Sequence, residues 1–167
     1  MSVSIHEILV PTAERFLGSL DKILDKAAEF AKRKEIDPAV LLNSRLAPDM
    51  FPLTRQVQIA CDMAKGAAAR LSGTELPKYE DNETTIPELK ARIAKTLAFV
   101  KSVPADKFAG GEKRDITLQT RRGDLKFVGL EYLRDFVLSN LFFHVTTAYA
   151  ILRHNGVELG KTDFLGA

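Results

Sequence analysis

The chain has 167 residues, the size of one ordinary domain, and at that length about 70% of the unfolded surface can be buried. Hydrophobic residues make up 46% and charged residues 28%, with no unbroken apolar run near the roughly 18 residues of a membrane span, which argues against a membrane protein. Lys and Arg number 24 against 22 Asp and Glu, scattered among one another, so no electrostatic footprint for nucleic acid is visible.

The start, Met1 to Glu7, has neither a basic end nor an apolar segment before a small-residue cleavage site, so a cytoplasmic chain is expected. The one cysteine, Cys61, can form no internal disulfide, which agrees with a reducing compartment.

Ser4 and Glu7 form a capping-box pattern. Behind them Ile5, Leu9, Phe16, Leu20, Ile23, Leu24 and Ala27 recur at helical spacing, predicting a first helix to about Lys34. Pro11 lies inside this pattern and predicts a kink or a restart at Thr12. Asp37 and Pro38 read as cap and first-turn proline of a short helix over 39–43. A proline-bearing linker, 46–53, then leads into a second helix that ends at Gly73, with Leu53, Val57, Cys61, Ala64, Ala68 and Leu71 on one face.

After a polar stretch over 75–84, Thr85, Pro87 and Glu88 mark a third helix, stopped by Pro104, whose inward set is Leu89, Ile93, Thr96, Leu97 and Val100. The period then switches to two: 116–120 and 125–128 flank a turn over 121–124, predicting a β-hairpin that needs a surface to lie against. Arg121 and Arg122, with Lys113 and Arg114, form the densest basic cluster and are expected to face water. A fourth helix spans Gly129 to His154, with Leu130, Leu133, Val137, Leu141, Ala148 and Ile151 in a stripe and Gly156 as stop. Phe136, Phe142 and Phe143 lie off that stripe and predict self-association, with a homodimer the simplest case. The fold class is therefore all-α, a four-helix bundle with a small β-hairpin between helices 3 and 4, one domain over 1–167.

Phosphate-cradling glycine loops, paired-cysteine zinc patterns and nucleophile elbows are missing from the sequence. Chemistry could reside in Asn140 and His144, four apart on the inner face of the fourth helix, which must find hydrogen-bond partners there. They read either as a satisfied polar pair that fixes helix register or as part of a site for a ligand or metal. Gln58 and Asp62, four apart on a flank of the second helix, could face the fourth helix or solvent. His6 reads as packing, His154 as a helix-end charge and Cys61 as a small buried hydrophobe.

Across nearly its whole length the chain resembles the DinB-like (YfiT-like) superfamily of four-helix bundles, and within it a bacterial branch of unknown function. The resemblance is carried by Pro48-Asp-Met-Phe-Pro-Leu53 with Gln56-Val-Gln58, by Ala64 to Leu71, and by Phe142-Phe-His-Val-Thr-Thr-Ala-Tyr-Ala-Ile-Leu-Arg-His-Asn-Gly-Val157 with the tail Gly160 and Asp163 to Leu165. It implies metalloenzymes, some of them thiol-dependent transferases, whose site takes one histidine from the second helix and a His-x-x-x-His pair from the fourth. By position that pair falls at Asn140 and His144, and the second helix offers only Gln58 and Asp62. Two readings follow. One is a bundle with a remodelled, metal-free inner pocket, no cofactor, and a possible small-molecule ligand. The other is a thiol-dependent transferase or hydrolase with His144 as base or ligand, oriented by Asp62 and Asn140.

Overall fold

In the computed structural model, which describes residues 3–120 and 122–166, the chain starts with the expected cap: Ser4 N–H donates to Glu7 Oε2 at 2.8 Å and Glu7 N–H donates to Ser4 Oγ at 3.2 Å. Helix α1 (Ile5–Arg33) then runs unbroken. The restart at Thr12 does not occur. Pro11 is on the exposed face of the helix, where the carbonyl it cannot serve is open to water, and the Thr12 hydroxyl binds the Ile8 carbonyl at 2.6 Å.

Asp37 caps α2 (Pro38–Asn43), accepting from Ala39 N–H at 2.8 Å. Helix α3 (Leu53–Ser72) ends at Gly73, whose φ of 71° supplies the left-handed turn. Helix α4 (Ile86–Ser102) starts with the Thr85–Glu88 capping box. Strands β1 (Asp115–Thr120) and β2 (Gly123–Val128) pair antiparallel, Thr120 opposite Gly123. The strands are longer than the period predicts, because Gly123 and Asp124 pair with Thr120 and Gln119 instead of forming the turn; Arg121 lies outside the described residues.

Helix α5 (Gly129–His154) is continuous but contains a wide turn over Tyr132–Leu138 with π geometry. Each such turn takes up more residues than an α-turn, so the inward face shifts in phase along the chain. Gly129 ahead of it and Tyr132 and Leu133 at its start face inward, while Leu130, predicted on the stripe, is 44% exposed; Val137 near its end and Leu141, His144, Val145 and Ala148 beyond it are buried. One 18-residue window of this helix has a mean hydropathy of 1.3, long and apolar enough by composition alone to cross a membrane, a feature that its interspersed Asn, His and Thr hide from a search for an unbroken run. Leu133, Val137, Leu141, Val145, Ala148 and Ile151 pack within the bundle, while Leu130, Phe142 and Phe143 are exposed. A last short helix, α6 (Lys161–Leu165), returns the tail to α1, where Ser19 Oγ donates to the Phe164 carbonyl at 2.9 Å and the Phe164 ring packs tilted against Phe16, 5.4 Å between ring centres.

Helices α1, α3, α4 and α5 form the bundle around one continuous apolar core. Helix α3 lies at its centre: its small residues, Ala60, Ala64, Ala67 and Ala68, are fully buried and admit both α5 and α4 closely. The hairpin is seated on the bundle through Phe127, which contacts Tyr132 and Phe136 at 5.9 and 5.4 Å between ring centres. Its base is fixed by backbone packing. A Cβ on Gly129 would collide with the Gly111 carbonyl, and one on Gly111 would come within 2.6 Å of the Leu71 carbonyl. Glycine is required at both positions by close approach. Arg114 is not the solvated residue that the basic cluster suggests; its guanidinium fills the space above Gly73 at the negative end of α3.

Candidate functional site

The four residues singled out from the sequence fall into two separate groups. His144 is 8% exposed, and its Nδ1 meets Gln56 Oε1 of α3 at 2.7 Å. Gln56 Nε2 donates in turn to the Phe51 carbonyl at 2.9 Å. That second bond fixes the amide orientation, so Gln56 presents its oxygen and His144 carries its proton on Nδ1, leaving Nε2 as the bare nitrogen. Burial, with the positive charge of Arg55 adding to it, pushes the His144 pKa down to about 4, so the ring is neutral at physiological pH.

Asn140 does not join this pair through a hydrogen bond. Its amide donates to the Phe136 carbonyl of its own helix at 2.6 Å, at the end of the wide turn, where that carbonyl also accepts from the Ser139 N–H. Gln58 and Asp62 point to α4 and the segment before it, not to α5. Gln58 accepts from Arg55 Nη1 at 3.1 Å and donates to Glu83 Oε2 at 2.9 Å. Asp62 Oδ1 accepts from Arg92 Nη2 at 3.0 Å and from Lys65 Nζ at 2.9 Å.

Arg92 is the organising residue of this second group. Only 3% exposed, it meets Asp62, Asp81 (2.9 Å) and Glu83 (2.9 Å), and donates to the Glu80 carbonyl at 3.0 Å. A guanidinium buried this far must be paired, and the carboxylates of residues 81 and 83 provide most of that pairing. The consequence is that residues 74–85, which have no regular structure, are strapped across α3 and α4. Tyr79 of the strap inserts its ring between Lys65 and Lys95, whose ammonium groups lie 4.1 and 4.2 Å from the ring centre. Beneath it Arg92 Nε and the Thr96 hydroxyl are buried without a protein partner. Cys61, on the inner side of the same helix pair, is fully buried, and burial pushes its thiol up to about 12, far from a reactive thiolate.

A groove of about 420 Å³ borders the end of the strap at Asp81, Glu83 and Thr84, and two larger grooves flank its middle. One of about 550 Å³ lies on the α4 side, lined by Tyr79, Glu88, Arg92 and Lys95. The other, of about 730 Å³, lies on the α3 side, lined by Asp62, Met63, Arg70, Leu76, Pro77 and Tyr79 among others. Sequence reading missed Gln56, Arg70, Tyr79 and Arg92. The available signal was Arg92 itself, which stands between Leu89 and Thr96 at inward helical spacing, where an arginine demands buried acids.

A three-histidine metal site does not fit these residues. The two helix α5 positions hold one amide spent on a backbone carbonyl and one imidazole bound to Gln56, while the α3 candidates are engaged by Arg92, Lys65, Arg55 and Glu83. Among the described residues no group of three or more His, Cys, Asp or Glu side chains is placed to hold a metal ion.

The family model described as a domain of unknown function, DUF1993, matches residues 5–165. Among solved structures, the crystal structure of a DinB family member protein from Shewanella denitrificans superposes with a TM-score of 0.92 at 46% sequence identity, covering 98% of this chain and 92% of that one. No curated protein matches the chain.

Proposed function

We propose that this chain, which belongs to the DUF1993 family of DinB-like proteins, is a small-molecule-binding protein of the cytoplasm whose inner site is remodelled away from metal chemistry. One observation carries the reading: at the positions of the superfamily's metal pair, Asn140 commits its amide nitrogen to a carbonyl of its own helix and His144 commits its Nδ1 to Gln56 of α3. An amide, an imidazole and a carboxylate already shared by two cations make a weak ligand set for zinc or nickel. The ligand is held instead beside the strap, in the groove of about 730 Å³. The protein acts as a homodimer, joined through the exposed Phe51, Phe142 and Phe143.

Elemental analysis of unsupplemented native protein, with a thermal-shift screen against divalent metals and low-molecular-weight thiols, tests the metal-free reading. The expected result is no near-stoichiometric transition metal and no thiol-dependent shift. Stoichiometric metal that disappears in His144→Ala would overturn it.

A second reading, a thiol-dependent transferase or hydrolase with His144 Nε2 as base, has the fixed Nδ1–H tautomer in its favour. A nitrogen held near pKa 4 takes up little proton at neutral pH, which places this reading second.

A further inference from the structure

Arg70, near the end of α3, lines the groove of about 730 Å³ and has no carboxylate partner among the described residues. Its guanidinium is nevertheless held in place. Nη1 donates to the Tyr132 hydroxyl at 3.1 Å, and Tyr132 is itself only 1% exposed. The same nitrogen occupies the notch above Gly66 that a Cβ would fill. A planar donor group fixed by a buried tyrosine and a glycine notch, with N–H groups to spare, is pre-organised to take an anion.

The charges around it set the sign and size of that anion. Asp62 is already paired with Arg92 and Lys65, and Asp81 with Arg92 and Arg55. Arg70 and Lys78 are then left against Glu80, an excess of one positive charge that suits a monoanion better than a phosphate. Met63, Leu76 and Pro77 supply apolar surface beside it, and Leu76 is 38% exposed. We propose that this groove binds a small apolar carboxylic acid, its carboxylate on the Arg70 guanidinium and its hydrocarbon or aryl body on Leu76, Met63 and Pro77. Carboxylate and guanidinium geometries match in a bidentate pair, which makes Arg70 the specificity-determining residue. The inference rests on the reading of this groove as the ligand site.

Isothermal titration of the full chain with 3-phenylpropionate and with its uncharged analogue 3-phenylpropanamide separates the two. The expected result is binding of the acid about tenfold more tightly than the amide, with the preference abolished in Arg70→Met and reduced severalfold in Tyr132→Phe, which releases the anchor without touching the charge. Equal affinities for acid and amide, or an acid preference that survives Arg70→Met, would overturn the assignment to Arg70 while leaving the groove as a binding site. Binding of neither probe would sink the groove reading together with it. Should Arg70→Met fail to fold, an undiminished acid preference in Tyr132→Phe overturns the assignment by itself.

Discussion

The buried imidazole of His144 makes a prediction about stability that needs no knowledge of the ligand. In the folded chain its pKa is held down to about 4, against about 6.5 for an unfolded histidine. Between those values the unfolded chain takes up a proton that the folded chain refuses, so stability falls as pH is lowered. The contribution is fully present above about pH 6.5 and is lost progressively as pH drops toward about 4. The complete loss is about 3 kcal/mol, of which about 2 kcal/mol is reached by about pH 5, equivalent to roughly 4–8 °C in melting temperature for a chain of this length. Urea unfolding of the native chain and of His144→Gln at about pH 7.5 and about pH 5 isolates this contribution, because every other titrating group is common to both and cancels. His144→Gln can still donate to Gln56, and whatever it costs outright is present at both pH values. The native chain should lose about 2 kcal/mol more than the variant on acidification. Parallel losses in the two proteins would refute the buried, neutral assignment, and with it the account of the Gln56 hydrogen bond as what fixes the ring.

Three further outcomes follow from the packing. Arg92→Met leaves Asp62, Asp81 and Glu83 without their common partner; because two of these are a third exposed, the cost should be roughly 2–3 kcal/mol, with new protease cleavage inside 74–85. Unchanged urea midpoint and cleavage pattern would show that the strap is held by something else. Gly129→Ala forces a side chain into the Gly111 carbonyl and should destabilise by about 3 kcal/mol or prevent folding, whereas Gly18→Ala, in open space on α1, should stabilise by about 0.5–1 kcal/mol; equal effects in thermal melts would contradict the close approach. Light scattering should give a dimer mass that Phe143→Ser reduces, since Phe143 and Phe51 are each 56% exposed; a monomer mass in the native chain at every concentration tested would end the homodimer proposal.

The helix ends were legible because they are local. Ser4 with Glu7, Thr85 with Glu88, and Gly73 satisfy backbone groups within a few residues, and those partners are adjacent in the chain. The hairpin was legible for the same reason, through its change of period. Of the kink or restart expected at Pro11, the restart fails because a proline's cost depends on which face it occupies, and that is set by the rest of the bundle. Leu130 was misplaced because a stripe drawn at constant period cannot register a wide turn. The candidate site was read only in part. His144 had to have a partner, but Gln56 is 88 positions away, and the pairing of Asp62 with Arg92 spans 30. Nothing in the local pattern of either residue distinguishes a carboxylate that faces water from one that holds a strap in place.

The wide turn in α5 has a consequence for how the chain tolerates changes in length. A helix with π geometry over Tyr132–Leu138 holds more residues than an ordinary helix of the same rise, so extra chain is taken up locally while the half that seats the hairpin stays aligned with the half that carries His144. Removing a single residue there would be absorbed by straightening into a regular helix, with the two halves left near their present relative rotation. The same deletion beyond the turn, between Leu138 and His144, would turn one half by about 100° against the other, and with His144 kept on Gln56 that rotation would fall on Tyr132 and through its hydroxyl on Arg70. The spacing of this one segment therefore keeps the bundle interior and the groove beside the strap in register.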